Sequence, residues 1–437
     1  MSPSAPGGVS ASESDHAREP VPGIPLPAPP PLEADVSLAD HPDVLDWPFA
    51  RTEDGNPPPI LAELRGAPPC VVRLPAGAAA SRLAWLVTRY ADVRQALGDP
   101  RLSADERLPG APVRIQVPPG QNPSSFLRLD DPEHTRLRSM IQTEFTARRV
   151  KRLREPVQRL VDELLDGLEA LPRPADLHAV FSRALPTLVI ARLLGVPEQD
   201  SAFFIDKTRV TISQEDPAIS LAAYEEMSEY LAKLALRKLE SPGDDLISRL
   251  AVNHHAKGAI TLDELVGIAR LVLVAGHETT TNQIALNILA LLRDDDLRAR
   301  VAADDGALIP NFIEESMRYW SISQDAMVRL AVEDLELGGV AVSKGDAVVI
   351  SVPAGNHDES VFACPNRIDP HRDTSGHLQW GFGPHYCQGA PLARLEMELS
   401  LRSLLRRFPG LRLAADPRTL FRRGTVFHGV THLPVTW

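Results

Sequence analysis

The sequence contains few cysteines. Only Cys70, Cys364 and Cys387 occur in 437 residues, too few and too scattered for a disulfide framework. A small disulfide-stapled secreted fold is therefore excluded, and a reducing cytoplasm is the expected setting. A cysteine that is not needed for a disulfide is available for chemistry.

The sequence also lacks long apolar runs and an excess of positive charge. No uninterrupted apolar stretch is long enough to span a bilayer, and the N-terminus lacks the basic-then-apolar pattern of a signal peptide. The formal net charge of -12 disfavours generic binding to nucleic acid or anionic membranes, because its long-range field repels phosphate. We expect a cytoplasmic monomer whose partners include neither nucleic acid nor membrane.

Composition separates a short leader from the rest of the chain. Residues 1–40 contain PVPGIPLPAPPPLEAD and are rich in Pro, Ser and Ala, so they bury too little apolar surface to offset the entropy of ordering. We expect a flexible Pro-rich leader there. Residues 41–437 contain only short turn clusters such as LPRPAD and ESPGDD, which predicts a single large domain.

Hydrophobic periodicity predicts a mainly α fold with small β-sheets. The stretch ARRVKRLREPVQRLVDELLDGLEAL has an apolar stripe at helical spacing, and Pro156 is expected to kink or divide this helix. A second, long helix follows Thr261, with Glu264 completing a capping box. Residues 328–356 alternate β-type side chains between glycine turns, which indicates short strands.

The stretch WGFGPHYCQG, residues 380–389, surrounds Cys387 with glycine and proline. A cysteine binds metal as a thiolate, which is stabilised by positive potential, backbone N–H donors and shelter from water. The glycines let the backbone fold closely around the sulfur, and the helix predicted after Cys387 directs its positive end toward it. An inert buried cysteine is the commoner fate of a lone cysteine, but the flanking pattern favours a metal ligand.

This loop resembles the haem-binding loop of the cytochrome P-450 monooxygenases, F-G-x-G-x-H/R-x-C-x-G. The matching positions are Gly381, Gly383, His385, Cys387 and Gly389. Trp380 stands where Phe is usual, and Gln388 where a small or aliphatic residue is usual. The resemblance implies the P-450 fold, a triangular prism that holds haem b between a long central helix and the cysteine loop with its following helix. It implies axial ligation of the iron by the Cys387 thiolate.

The stretch AGHETT, residues 275–280, lies in the middle of the long predicted helix. A zinc-protease H-E-x-x-H site is excluded because its second histidine is replaced by Thr281. A polar helix face with threonines bonded to backbone carbonyls is the plain alternative. The P-450 resemblance implies catalytic roles here: Ala275 and Gly276 belong to the A-G-x-D/E-T motif, Gly276 leaves room for dioxygen, and Glu278 and Thr279 deliver protons.

Two more groups of residues acquire roles only through the resemblance. Glu315 and Arg318 match the family's E-x-x-R, and Arg367 stands at its third partner, which implies a structural network on the thiolate side. An exposed i, i+3 ion pair is the plain alternative. The residues that the resemblance assigns to the haem propionates are His134, Arg138, Arg329 and His385.

The implied function is a monooxygenase resembling the soluble actinobacterial members that oxidise macrolides, polyenes, sesquiterpenes or steroid-like compounds. We expect a hydrophobic secondary metabolite, favouring a macrolide, with substrate-facing segments at 107–126, 208–220 and 321–328. The chain has no flavin or iron–sulfur motif, so a ferredoxin and its NAD(P)H-driven reductase are the expected electron donors. We expect the ferredoxin to dock on a basic patch of Arg394, Arg402, Arg406 and Arg407. A peroxide-using or oxidative-coupling haem enzyme and a non-catalytic haem sensor are the alternatives.

Overall fold

The computed structural model describes residues 44–75, 82–112, 125–213, 217–325, 327–423 and 425–437. The leader predicted for residues 1–40 lies outside the described residues, as do parts of all three expected substrate-facing segments. Within the described residues, no helix has the length and apolar character needed to cross a membrane.

Helices form most of the described structure. Their bounds are α1 (Ile60–Leu64), α2 (Tyr90–Gly98), α3 (Glu133–Ile141), α4 (Ala147–Glu169), α5 (Ala184–Leu194), α6 (Ser201–Ser213), α7 (Pro217–Glu240), α8 (Leu246–Asn253), α9 (Leu262–Arg293), α10 (Asp295–Gly306), α11 (Ile309–Trp320), α12 (Val352–Asn356) and α13 (Ala390–Arg407). A π-helical turn, His178–Ser182, precedes α5.

The strands are short. They are β1 (Leu45–Asp46), β2 (Cys70–Leu74), β3 (Arg82–Val87), β4 (Leu102–Ser103), β5 (Ala175–Asp176), β6 (Val328–Ala331), β7 (Leu335–Leu337), β8 (Val340–Val342), β9 (Ala347–Ile350), β10 (Arg412–Leu413) and β11 (Pro434–Thr436). The largest sheet is mixed and has the order β1-β2-β3-β9-β6-β4. Strands β10, β11 and β5 form a second sheet, and β7 pairs with β8. The prediction of a mainly α fold with small sheets is confirmed.

The long central helix α9 begins where its sequence predicts. The Thr261 hydroxyl accepts the Glu264 N–H at 3.1 Å, and the Glu264 carboxylate accepts the Thr261 N–H at 2.8 Å. This reciprocal capping box satisfies two backbone donors that the first helical turn leaves without partners. Most of α9 is buried, and it contacts α5, α7, α11 and α13. It is therefore the element around which the other helices pack.

Helix α4 continues through Pro156, where the sequence predicted either a kink or a division. The structure keeps Ala147–Glu169 as one helix with Pro156 inside it, so the expected division is wrong. Proline removes one backbone hydrogen bond from a helix interior. An apolar stripe compensates for this loss, and its buried side chains are Val150, Val157, Val161, Leu165 and Leu168. Burial of such a face supplies most of the stability of a helix in a folded protein.

Candidate active site

The loop before α13 encloses the sulfur of Cys387. Gly381 and Gly383 both adopt positive φ, at 78° and 72°, a conformation that glycine reaches without steric strain. At Gly383 a Cβ atom would lie 3.0 Å from the Cα of Gly98 in α2, so the loop also needs this glycine for close approach. The Cys387 N–H donates to the Trp380 carbonyl at 2.7 Å. These constraints fix the backbone on both sides of the thiol.

The Cys387 thiol lies at the N-terminal end of α13. Burial raises the pKa of Cys387, while N–H donors from Gly389 and Ala390 and the charges of Arg138 and Arg394 act in the opposite direction. The same donors stabilise a thiolate once it forms. Coordination to a metal ion deprotonates a thiol outright, so the site is suited to a thiolate ligand.

Histidine and arginine side chains from three separate segments converge beside this loop. The rings of His134 in α3 and His385 in the loop lie 4.3 Å apart. Arg138 donates from Nη2 to the Tyr386 carbonyl at 2.6 Å. The pKa of His385 is lowered to about 3 by burial and then by Arg329, His134 and Arg138. The four residues predicted for propionate binding are therefore brought together.

The convergent residues fit a ligand that carries carboxylates. His134 is buried, yet its Nε2 has no hydrogen-bond partner, although buried polar atoms are almost always bonded. Its Nδ1 lies 3.5 Å from Asp131. Arg329 in β6 donates to the Val328 carbonyl at 2.8 Å. A haem whose propionates reach His134, Arg138, Arg329 and His385 would supply the missing acceptors.

The predicted acid and alcohol of α9 have different partners. Thr279 donates from Oγ1 to the Ala275 carbonyl at 2.6 Å. The carboxylate of Glu278 is buried and accepts from Asn282 Nδ2 at 3.0 Å and from Arg422 Nη1 at 2.5 Å. Arg422 comes from the C-terminal segment and has no sequence signal that points to α9. Its ion pair with Glu278 could be found only from the structure.

Gly276 has a packing role that the family motif does not suggest. A Cβ atom at this position would lie 2.5 Å from Ile190 Cδ1 and 2.8 Å from Ile190 Cγ1 in α5. Helices that cross so closely need a small residue at the contact. The role in admitting dioxygen stays a prediction.

The structural network differs from the predicted one in its third member. Glu315 and Arg318 are fully buried and paired, with Arg318 Nε 2.7 Å from Glu315 Oε2. The second guanidinium on Glu315 belongs to Arg372, whose Nε donates to Oε1 at 2.9 Å. Arg367 was the wrong choice: its side chain is exposed, and its carbonyl accepts from Arg318 and Arg372. The Arg367 N–H donates to the Cys364 carbonyl, which closes a turn. This turn directs the Arg367 carbonyl toward Arg318 and Arg372.

Trp380 and Gln388, the two departures from the usual loop, both make specific contacts. Trp380 donates from Nε1 to Glu314 Oε2 at 2.9 Å and lies under the Arg394 guanidinium. Burial raises the pKa of Glu314, but hydrogen bonds from His377 and Arg394, the latter at 2.7 Å, lower it to about 2. Gln388 donates from Nε2 to the Arg138 carbonyl at 3.3 Å. Both side chains fasten the loop to neighbouring helices.

The expected basic patch on α13 is largely neutralised within the chain. Arg394 pairs with Glu314, Arg402 with Glu398, and Arg407 with Asp166 and Glu169. Arg406 is exposed and has no ion pair among the described residues. Paired arginines project less positive potential than free ones, so this group is a weaker docking surface than its sequence suggests.

Comparison with known proteins identifies the family. Residues 203–419 match the sequence profile described as Cytochrome P450. Cytochrome P450-SU2 of Streptomyces griseolus is 43% identical over 358 residues, which cover 81% of this chain and 87% of that protein. Cytochrome P450 GfsF of Streptomyces halstedii is 40% identical over 408 residues, 90% of this chain and 97% of that protein. Its crystal structure superposes with a TM-score of 0.84 at 38% identity, covering 90% of this chain and 100% of that one.

A substrate complex is also among the similar structures. The mycinamicin VIII C21 methyl hydroxylase MycCI of Micromonospora griseorubida, bound to mycinamicin VIII, has a TM-score of 0.82 at 37% identity over 90% of this chain and 100% of that chain. The extent of these matches, together with the cysteine loop and the long helix α9, shows that the chain belongs to the cytochrome P450 family and is a monooxygenase of that family.

Proposed function

We propose that this monooxygenase hydroxylates or epoxidises a hydrophobic secondary metabolite, with haem b held by the Cys387 thiolate. The observation that carries the proposal is the position of the Cys387 sulfur. The sulfur accepts hydrogen bonds from the N–H groups of Gly389 and Ala390, and the positive charge of Arg138 favours its thiolate form. In the overall reaction, the substrate, O2, two electrons and two protons give the oxygenated product and water. Bound haem supplies the activation of dioxygen, and the thiolate ligand favours O–O cleavage.

The side chains around the site hold and orient the cofactor. We assign the two propionates to His134, Arg138, Arg329 and His385. The geometry that supports this assignment is the 4.3 Å separation of the two imidazoles and the unbonded Nε2 of His134. Arginine and imidazole N–H donors that are fixed in advance bind carboxylates with little loss of side-chain entropy. Gly381, Gly383 and Gly389 keep the loop close to the sulfur.

Proton delivery is assigned to Glu278 and Thr279. The Thr279 hydroxyl donates its hydrogen to the Ala275 carbonyl, so its oxygen lone pairs remain available to accept a hydrogen bond from water. Glu278 immediately precedes Thr279, and its carboxylate is oriented by hydrogen bonds from Asn282 and Arg422. A carboxyl group that is oriented in this way can pass a proton to water beside the hydroxyl.

The proposed substrate is a macrolide or related polyketide. Support comes from the similarity to MycCI, whose structure holds mycinamicin VIII. Support also comes from α9, where Val274 and Ala275, one turn before Glu278 and Thr279, are exposed. An apolar stripe beside a few convergent polar groups is typical of a site for a hydrophobic ligand. A ferredoxin and its reductase are the proposed electron donors, and the chain is proposed to act as a monomer.

The proposal is tested by turnover of a macrolide panel with ferredoxin, ferredoxin reductase and NAD(P)H. We expect a product that gains one oxygen atom, and mass spectrometry after incubation under 18O2 shows where that atom comes from. Cys387→Ser should give no product. Turnover that requires peroxide and ignores the ferredoxin would favour the peroxide-dependent alternative, and turnover by Cys387→Ser would contradict the assigned ligand.

A further inference from the structure

A group of buried polar side chains beside α9 has unbonded nitrogen or oxygen atoms within the described part of the chain. His178 and Ser182 are 0% exposed, His277 is 4% exposed and Thr281 is 1% exposed. The unbonded atoms are both ring nitrogens of His178, Ser182 Oγ, His277 Nδ1 and Thr281 Oγ1. We call these four residues the buried histidine cluster.

The cluster lies between the π-helical turn and α9. His178 and Ser182 are the first and last residues of that turn, which contacts α9. His277 and Thr281 are four residues apart on α9 and so share one face of it. Single π-helical turns are rare and occur frequently at functional sites. The turn brings polar atoms to a part of α9 that could otherwise be sealed by apolar packing.

Ordered water molecules would supply hydrogen-bond partners for these buried atoms. Leaving one buried polar group without a partner costs about 1–3 kcal/mol, and buried polar cavities are commonly filled by water that makes about three hydrogen bonds. Both imidazoles are neutral at neutral pH, because burial and then nearby arginines lower the pKa of His178 to about 3, and burial is the main cause that lowers that of His277 to about 4. A neutral imidazole offers one donor and one acceptor.

The two ends of the cluster lie next to the predicted proton donor and next to a partly exposed carboxylate. His277 immediately precedes Glu278 in α9. Arg422 forms an ion pair with the Glu278 carboxylate, and its positive charge lowers the pKa of both imidazoles. At the other end, the backbone N–H of His178 donates to Asp176 Oδ1 at 3.1 Å, which places this partly exposed carboxylate beside the first residue of the turn. One end of the cluster is thus adjacent to the partly exposed Asp176, and the other is adjacent to Glu278.

We propose that His178 and His277 are proton-relay residues of a water-filled path that refills Glu278 from solvent. Each oxygenation consumes two protons, so Glu278 must be reprotonated in every cycle. Along the path, each imidazole or water accepts one proton on one side and releases one on the other, which leaves no net charge behind. This inference rests on the proposed function, since it takes Glu278 as the group that delivers protons.

The water is tested without reference to activity. A high-resolution crystal structure of the haem-loaded wild-type protein should show ordered waters within hydrogen-bond distance of the ring nitrogens of His178 and His277. Ring nitrogens that bond only to protein atoms, or a cluster free of water, would overturn the proposal.

The path is tested with His178→Phe and His277→Phe. We expect each variant to lower the turnover rate at least about tenfold and to raise the solvent isotope effect on turnover, with the haem spectrum unchanged. His428→Phe is the matched control, because His428 is also buried with an unbonded Nε2 but stacks on Phe421, with ring centroids 5.4 Å apart. It should match the wild type.

The outcomes separate the two proposals. A wild-type protein that does not oxygenate any substrate overturns the proposed function, and the path with it. An active wild type together with His178→Phe and His277→Phe variants that keep its rate and isotope effect overturns the path alone. If these variants do not fold, the waters of the wild-type crystal structure decide.

Discussion

At the scale of single residues, Arg372 and Arg367 show how a sequence motif can name the wrong side chain. They lie five residues apart, and both contribute to the surroundings of Glu315 and Arg318. Arg372 contributes its guanidinium and Arg367 only its carbonyl. The sequence spacing of the motif does not distinguish these contributions, because the turn between Cys364 and Arg367 decides which group points inward.

Replacement of these two arginines gives a direct comparison. Arg372→Ala removes a charge-assisted hydrogen bond to a fully buried carboxylate and should lower the free energy of unfolding by about 2 kcal/mol. Arg367→Ala keeps the carbonyl and should change it by less than about 0.5 kcal/mol. Denaturant unfolding of both variants measures the difference. A larger loss in Arg367→Ala would restore the network that the sequence suggested.

Glu396 is a second residue whose role is decided by burial. It lies inside α13 with an unbonded Oε2, and burial raises its pKa well above the usual value. The folded protein therefore keeps a proton that the unfolded chain releases near pH 4.5. Because the unfolded state then binds fewer protons, stability falls as the pH rises from the unfolded pKa toward the folded pKa.

Glu396→Gln should remove this loss of stability at higher pH, because glutamine does not titrate. The variant is expected to gain stability over the wild type as the pH is raised from 5 to 7, by up to about 1.4 kcal/mol per pH unit within the titration window. Thermal unfolding across that range measures the gain. Glu398→Gln, on the same helix and ion-paired with Arg154, is the control and should show no comparable gain. A wild-type advantage that grows with pH would contradict the raised pKa.

At the scale of elements, helix α9 was the best predicted part of the fold and also held the least predictable contacts. Its start at Thr261 followed from local capping chemistry, and its length from apolar segments on both sides of the polar stretch AGHETT. The close approach of Ile190 to Gly276 and the ion pair between Glu278 and Arg422 join residues far apart in sequence. Periodicity carries no information on such pairings, so only the fold could supply them.

The close contact between α5 and α9 predicts that Gly276→Ala destabilises the wild-type protein but stabilises an Ile190→Ala background. Gly276→Ala should lower the free energy of unfolding by about 1–3 kcal/mol, because its Cβ would overlap Ile190. In an Ile190→Ala background both close atoms are gone, and the same change should stabilise by up to about 1 kcal/mol through helix propensity. A double-mutant cycle measures both values. Stabilisation by Gly276→Ala in the wild-type background would contradict the packing role.

At the scale of the whole molecule, the fold gathers the candidate haem ligands from distant parts of the chain. His134 and Arg138 lie in α3, Arg329 lies in β6, and His385 and Cys387 lie in the loop before α13. The sequence pattern predicted short strands around Arg329 and the helix after Cys387. The convergence itself was predicted only through resemblance to a family, and the ring contact of His134 with His385 agrees with it.

Ligation of haem iron by the Cys387 thiolate is tested most directly by the carbon monoxide difference spectrum of the reduced protein. We expect the wild type to show the red-shifted Soret band that is characteristic of a carbon monoxide complex of thiolate-ligated haem, and Cys387→Ser to lack it. A wild-type spectrum without that band, or a Cys387→Ser variant that retains it, would contradict the account.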